Sequence, residues 1–424
     1  MPGGMLARGR GGLAALLCFA VTVMRVRAVS SARPPAPPRP SRRTRFLPPY
    51  DVHTFFYLWY GNPETDGRYQ HWNHKVLPHW TASVNARYEG VIGQEHTPPA
   101  SIHSRYYPKR GCYSSRDTET LMSQFQEMKS AGIGIVVISW WGRPGVPGTS
   151  DTQGVNTDTA VSLVLEAAEK VGGIKVAFHL EPYSGRTAET IHADLRYIAS
   201  KYLQSPAVYR HGHRQLPLYY VYDSYHITSE SWVELLGTRS NRNVGPAQDK
   251  SILIREGPLD AIFIGLWLNK EDHNLLESFD GFYTYFSSTS FSYGSTLSTW
   301  KTLAQVARDR DQYFIPSVGP GYDDTRIRPW NSHNTRDREG GDYYSRMWLA
   351  ALESNPSCVS ITSYNEWGEG TQIEPADSLE MESGKASYLQ YPMGDPYFFT
   401  NMTLDFAHRL RKLASEYVAS HDEL

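Results

Sequence analysis

The sequence predicts a single (β/α)8 barrel of the TIM type with enlarged βα loops, an α/β fold. Two observations carry this expectation. From residue 50 onward, short apolar runs rich in β-branched and aromatic residues alternate with amphipathic segments, strand then helix, eight times before residue 420. The residues that close those runs are repeatedly Tyr, Trp, His, Asp or Glu, and a barrel brings such strand ends to the one face on which its active sites are built. A doubly wound open sheet is the competing architecture.

The predicted strands are 52–59, 134–141, 174–181, 218–223, 261–267, 281–286, 313–318 and 359–365. Helical periodicity falls at 118–131, 158–171, 188–203, 230–236, 272–278, 299–310, 343–354 and 404–419. The first strand ends in Tyr57, Trp59 and Tyr60, the second in Trp140 and Trp141, and the third in His179, Glu181 and Tyr183. The fourth brings Tyr222, Asp223 and Tyr225, the sixth Tyr283 and Tyr285, and the seventh leads to Tyr322, Arg326 and Arg328. The eighth gives Asn365, Glu366 and Glu369. One open cleft lined by Tyr57, Trp141, Glu181, Tyr222, Tyr285, Arg328, Glu366 and Glu369 is expected.

Composition narrows the function. The chain has 424 residues, 40% of them hydrophobic, and a formal net charge of -2, which allows a large core and gives no charge excess to attract nucleic acid. Its 28 Tyr and 11 Trp suit sugar recognition, because an aromatic ring stacks on the apolar face of a pyranose while its polar tip bonds a hydroxyl; a Tyr-rich core is the alternative. Glu366 and Glu369, three residues apart beside Trp367 and among glycines, have the ingredients of a glycosidase centre, in which one carboxyl protonates a leaving oxygen while another acts on the sugar. By themselves they are equally compatible with a solvated loop.

The two ends read as targeting segments. Arg8 and Arg10 precede an apolar run at 13–24 and small residues up to Ala28, the pattern of a signal peptide or short signal anchor at 1–28. Residues 29–49 are rich in Pro and Arg and read as a disordered stem. The expected glycosidase domain runs 50–420, and His421, Asp422, Glu423 and Leu424 match an endoplasmic-reticulum retrieval signal. The expected location is therefore the secretory lumen, with a retrieval receptor as partner. Of three cysteines, Cys18 lies in the leader, and Cys112 and Cys358 are read more simply as free thiols than as a disulfide. Asn401-Met402-Thr403 is a glycosylation acceptor.

Seven segments taken together carry a resemblance: FYLWYGNP at 56–63, HWNH at 71–74, HLEPY at 179–183, YDSY at 222–225, IPSVGPGY at 315–322, IRPWN at 327–331 and YNEWGEGTQ at 364–372. In order and across most of the chain, they resemble the endo-α-1,2-mannosidases of glycoside hydrolase family 99. The resemblance implies a barrel hydrolase, without a cofactor or metal, that cuts internal α-1,2-mannosidic bonds of high-mannose oligosaccharides or glycoproteins with retention. Eukaryotic members trim glucosylated glycans in the Golgi, some as type II membrane proteins, and bacterial relatives degrade mannans. Residue by residue, the family's acid/base glutamate matches Glu369 and the glutamate acting on the 2-hydroxyl matches Glu366. Glu181, Tyr222, Tyr285, Arg328 and Asn365 match positions near the reacting sugar.

The chain also departs from the family pattern. Vertebrate members resemble Ser-Trp-Tyr-Pro after the second strand, whereas this chain has Ser139, Trp140, Trp141 and Gly142, closer to bacterial relatives. That difference bears on whether glucose or mannose precedes the cleaved bond. A terminal retrieval signal is a second departure from a Golgi-anchored enzyme. His71, His74 and His79 invite a metal reading but lack a clear third ligand and supporting shell, so structural or substrate-side roles are expected. A non-catalytic mannose-binding protein, a mannan-degrading endomannanase and a transglycosylase are the competing functions.

Overall fold

The computed structural model describes residues 45–238, 252–377 and 388–419. The leader at 1–28, the stem as far as residue 44 and the retrieval segment at 421–424 lie outside the described residues. No helix among the described residues is long and apolar enough to cross a membrane.

The barrel strands are β1 (Val52–Phe56), β2 (Ile135–Trp140), β3 (Lys175–Leu180), β4 (Leu218–Val221), β5 (Ile262–Leu266) and β6 (Gly281–Tyr283). The seventh strand, β7, runs in two pieces, Tyr313–Ile315 and Ser317–Val318, and β8 is Val359–Ile361. All pair in parallel, each with its sequence neighbour, and the ring closes where Val52 of β1 pairs with Val359 of β8. Pro316 splits β7 because it has no N–H for the ladder; its carbonyl still accepts from Ser360 N at 3.1 Å. Strands buried on both faces require near-continuous apolar runs, and Ile135, Val136, Val137 and Ile138 of β2 are all fully buried.

The helices α1 (Thr118–Ser130), α2 (Asp158–Val171), α3 (Ala188–Lys201), α4 (Ser229–Leu236), α5 (Trp300–Asp309), α6 (Asp342–Glu353) and α7 (Phe398–Ala419) surround the barrel in the predicted order. Between β5 and β6 the expected helix is a 3-10 run, Lys270–Glu277. Local sequence explains several starts. Asp117 caps α1 by accepting from the Glu119 and Thr120 amides, and Thr187 and Thr190 form a reciprocal capping box on α3. The last helix begins earlier than the predicted 404, at Phe398, and its Arg411 reaches Asp51 at 2.8 Å beside β1.

Four of the eight strands end two to four residues before their predicted limits, because their polar and aromatic tails leave the ladder to build the upper face. Inside the barrel, Phe55 packs at 4.7 Å against His179 and at 5.5 Å against Tyr220. His53 Nδ1 lies 2.6 Å from Tyr220 OH, and His179 Nε2 lies 2.7 Å from Tyr283 OH. Phe46 packs beneath this layer against His53 and Tyr313. Cys112 and Cys358 are free thiols, near Tyr107 and His53 respectively.

Candidate active site

Beyond β8 the chain forms a tight loop that carries Glu366 and Glu369. Ser363 Oγ accepts from Glu366 N at 2.8 Å, and Tyr60 OH donates to the Asn365 carbonyl at 2.9 Å. Glycine is required twice. A Cβ on Gly368 would stand 2.6 Å from Ile327 Cδ1, and Gly370 takes a φ of +63° against the Asp323 backbone. The Gly368 N–H donates to Glu366 Oε1 at 3.1 Å. Beneath the loop, buried Glu374 accepts from Trp367 Nε1 at 2.9 Å, Tyr113 OH at 2.7 Å, Gln124 Nε2 at 2.7 Å and Arg110 Nη1 at 3.2 Å.

A cavity of about 210 Å3 lies above the barrel, lined by Glu366, Glu369, Tyr57, Trp59, Trp141, Glu181, Tyr222, Tyr285 and Arg328, together with His71, His74, His103, Thr152 and Ile327. Every residue expected to line one cleft is in it. Glu181 accepts from Ser139 Oγ at 2.8 Å, and Ser139 Oγ accepts from Trp141 Nε1 at 3.1 Å, so the indole's one polar group is already engaged. Arg328 Nη1 reaches Asp324 Oδ2 at 3.0 Å and Glu369 Oε1 at 3.3 Å. Tyr285, with a φ of 52°, is held against Tyr57 by a hydroxyl–hydroxyl hydrogen bond. A left-handed tyrosine costs about 1–3 kcal/mol and persists only where its surroundings hold it.

Three of the residues expected to bind substrate lie elsewhere. His179 is one layer lower on the same face of its strand, its Nδ1 3.0 Å from Glu181 Oε1. Asn365 is fully buried and spends its amide on Tyr57, accepting from the backbone N at 2.7 Å and donating to the carbonyl at 3.0 Å. Tyr225 lies outside the cavity, 37% exposed, because the chain turns through Asp223 at a φ of 47°. The other tempting histidines are accounted for locally. His71 Nε2 lies 2.5 Å from Asp151 Oδ2 and its ring stacks on Trp59 at 4.4 Å, while His79 Nδ1 accepts from Thr81 N at 2.8 Å. Among the described residues no group of three or more His, Cys, Asp or Glu is set to hold a metal ion.

Burial raises the Glu366 carboxyl well above the usual carboxylate range; the neighbouring charge on Glu369 adds to the effect, and Arg328 and the Gly368 N–H oppose it. Burial also raises Glu369, with Arg328 as the strongest opposing influence. Each charge penalises the other, so the pair keeps a proton to higher pH than two isolated carboxyls would. Burial likewise keeps Tyr57, Tyr222 and Tyr285 as neutral phenols.

A second chamber of about 460 Å3 adjoins the first, sharing Tyr285, Arg328 and Glu369 with it. It is lined by Trp80, Phe286, Phe291, Tyr322, Trp330, Asn331 and His333 among others. Most of these residues were not predicted for the site. Tyr322 was signalled by the seventh strand's end and the IPSVGPGY segment, and Trp330 and Asn331 by the IRPWN segment. Glu369 thus stands on the wall common to both chambers, with Glu366 in the first.

A parallel barrel that sets paired, proton-retaining carboxyls among tyrosines and tryptophans at its strand ends defines a glycoside hydrolase. Residues 49–412 match the model of glycosyl hydrolase family 99. The chain is 41% identical over 384 residues to the glycoprotein endo-alpha-1,2-mannosidase of Rattus norvegicus, covering 89% of this chain and 79% of that one. It is 41% identical over 367 residues to a glycoprotein endo-alpha-1,2-mannosidase-like protein of Homo sapiens, covering 85% and 76% respectively. The solved GH99 endo-alpha-mannosidase from Bacteroides thetaiotaomicron superposes with a TM-score of 0.74 at 38% identity, over 86% of this chain and 98% of that one. The chain belongs to glycosyl hydrolase family 99.

Proposed function

We propose that this chain is a retaining endo-α-1,2-mannosidase that cuts internal mannosidic bonds of high-mannose N-glycans. The observation that carries the reading is the position of Glu369 on the wall shared by two chambers, since an endo-acting enzyme needs room for sugar on both sides of the scissile bond. The rat relative, a glycoprotein endo-alpha-1,2-mannosidase, supports it.

In the proposed mechanism, Glu366 takes the proton of the reacting sugar's 2-hydroxyl. In an α-mannoside that oxygen is axial and trans to the leaving group, so it attacks the anomeric carbon from the opposite face and closes a 1,2-anhydro sugar. Glu369 donates its proton to the leaving oxygen and then takes one from the water that opens the anhydro ring at C1, while Glu366 returns its proton to O2, giving net retention. In the free site burial raises the proton affinity of both carboxyls, so the pair holds a proton between them. Substrate redistributes that proton: a 2-hydroxyl donating to Glu366 favours its charged form, and a departing sugar that excludes water from Glu369 favours its neutral form.

Trp141 favours mannose before the scissile bond at least as well as glucose. Its N–H is taken by Ser139, so it offers the neighbouring sugar only carbon surface. Incubation with glucosylated and unglucosylated high-mannose glycans, followed by product analysis, tests activity and preference together. Release of an oligosaccharide from both, with the unglucosylated glycan cut at least as fast, is expected; release of single mannose residues or no cleavage would contradict the function, and a strong preference for the glucosylated glycan would contradict the role of Trp141. A lumenal enzyme retrieved to the early secretory pathway, with residues 1–28 as leader or anchor, is the location proposed from the sequence.

A further inference from the structure

His74 and His103 are two polar groups of the first chamber that the mechanism above does not use. Both rings are buried, 8% and 2% exposed, and both line the cavity with Glu366 and Glu369. They lie nearly parallel, at 19°, with centroids 6.2 Å apart. His74 Nδ1 donates to the Lys75 carbonyl at 2.7 Å, which leaves Nε2 as an acceptor without a protein partner. His103 Nδ1 is buried without a partner, and no protein group bonds its Nε2. The Cδ2–Nε2 edge of His103 abuts Gly368, with Nε2 3.0 Å from where a Cβ on that glycine would stand. Burial lowers both pKa values, that of His74 to about 4 and that of His103 well below the usual range, so both rings are neutral. A neutral imidazole has one N–H and one lone pair, and leaving both unmet in a buried place is unfavourable.

We propose that His74 and His103 form a binding site for one hydroxyl of the sugar in the first chamber, making them specificity-determining residues for the glycone. A hydroxyl is the group that fits, because it donates to the lone pair of His74 Nε2 while accepting from the N–H of His103. Water satisfies the pair in the free enzyme and is displaced by a sugar hydroxyl of the same donor and acceptor capacity. The inference rests on the glycosidase reading of this chamber and deepens it.

The test crosses enzyme variants with substrates. His103→Phe removes both polar groups, and His103→Gln retains a donor and an acceptor. Each is assayed on activated α-mannosyl disaccharides in which one glycone hydroxyl at a time is replaced by hydrogen. The phenylalanine variant should lose about tenfold in kcat/KM on the parent disaccharide, the scale of one neutral hydrogen bond, mostly through KM. On one particular deoxy substrate it should lose nothing further, and the glutamine variant should recover part of the loss on the parent. An equal loss on the parent and every deoxy substrate would overturn the proposal and reduce His103 to packing against Gly368. Imidazole 15N spectra of the wild-type protein give a second readout that needs neither folding of the variant nor turnover. Addition of α-mannobiose should shift the His74 and His103 ring nitrogens, and an unchanged spectrum under saturating binding would also overturn it. If wild-type enzyme binds mannobiose with those shifts but cleaves no α-mannoside, the proposed activity fails while the hydroxyl site stands.

Discussion

Glu369→Gln should abolish cleavage of natural high-mannose glycans, by about 10^3-fold or more, while activated α-mannosyl fluorides keep kcat/KM within about tenfold, because fluoride departs without a proton and kcat/KM reports that first step. Glu366→Gln should lose about 10^3-fold on both, since no leaving group removes the need to activate the 2-hydroxyl. The pH profile gives a second sign. With Glu369 neutralised, Glu366 no longer faces a like charge, and Arg328, which bonds Glu369 at 3.3 Å, is balanced less fully, by Asp324 at 3.0 Å. Both changes lower the Glu366 pKa, so the acidic limb of kcat/KM on the fluoride should move to lower pH in Glu369→Gln, and because fluoride needs no proton from Glu369, neither enzyme should show an alkaline limb set by that residue on this substrate. Steady-state kinetics across pH checks both statements. An acidic limb that stays in place would show that Glu369 does not set the protonation of Glu366.

The second large effect is on stability. Glu374 is buried below the catalytic loop and receives four hydrogen bonds, from Arg110, Tyr113, Gln124 and Trp367. Glu374→Ala removes the acceptor common to all of them and leaves the Trp367 indole without this partner, two residues before Glu369. Breaking a buried ion pair costs about 3–5 kcal/mol, and Arg110 keeps Glu127 at 2.5 Å, so a loss near the lower end, about 3 kcal/mol, is expected. Glu374→Gln, of the same shape, should lose about 1 kcal/mol. Denaturant unfolding measures both values. An alanine variant as stable as wild type would mean that the loop is held by its backbone contacts alone.

The barrel was legible because strands buried on both faces must be apolar along their whole length, and residues 134–140 or 174–180 leave little room for another reading. The carboxyls were legible because Glu366 and Glu369 follow such a run directly. The remainder depended on features that periodicity does not encode. His179 and Glu181 share a strand face, and only the height of the barrel layer separates a buried support from a cavity wall. Tyr222 and Tyr225 look equivalent in sequence, but the turn at Asp223 sends the second out of the cavity. Asn365 has the side chain of a sugar contact and uses it to tie Tyr57 to the loop. His103 and Trp80 lie in the long connection between β1 and β2, outside the segments that carried a signal there, and only tertiary packing brings them to the strand ends.

The central claim is that the substrate's own 2-hydroxyl, activated by Glu366, is the nucleophile. It is tested most directly with an activated α-mannoside whose reacting sugar lacks that hydroxyl, followed by rate measurement and mass spectrometry of the protein. The proposal predicts turnover at least about 10^3-fold slower than the parent, the middle of the range for loss of a positioned catalytic group, and unmodified protein. Rapid turnover with a glycosyl adduct on Glu366 would show a carboxylate nucleophile instead and contradict it.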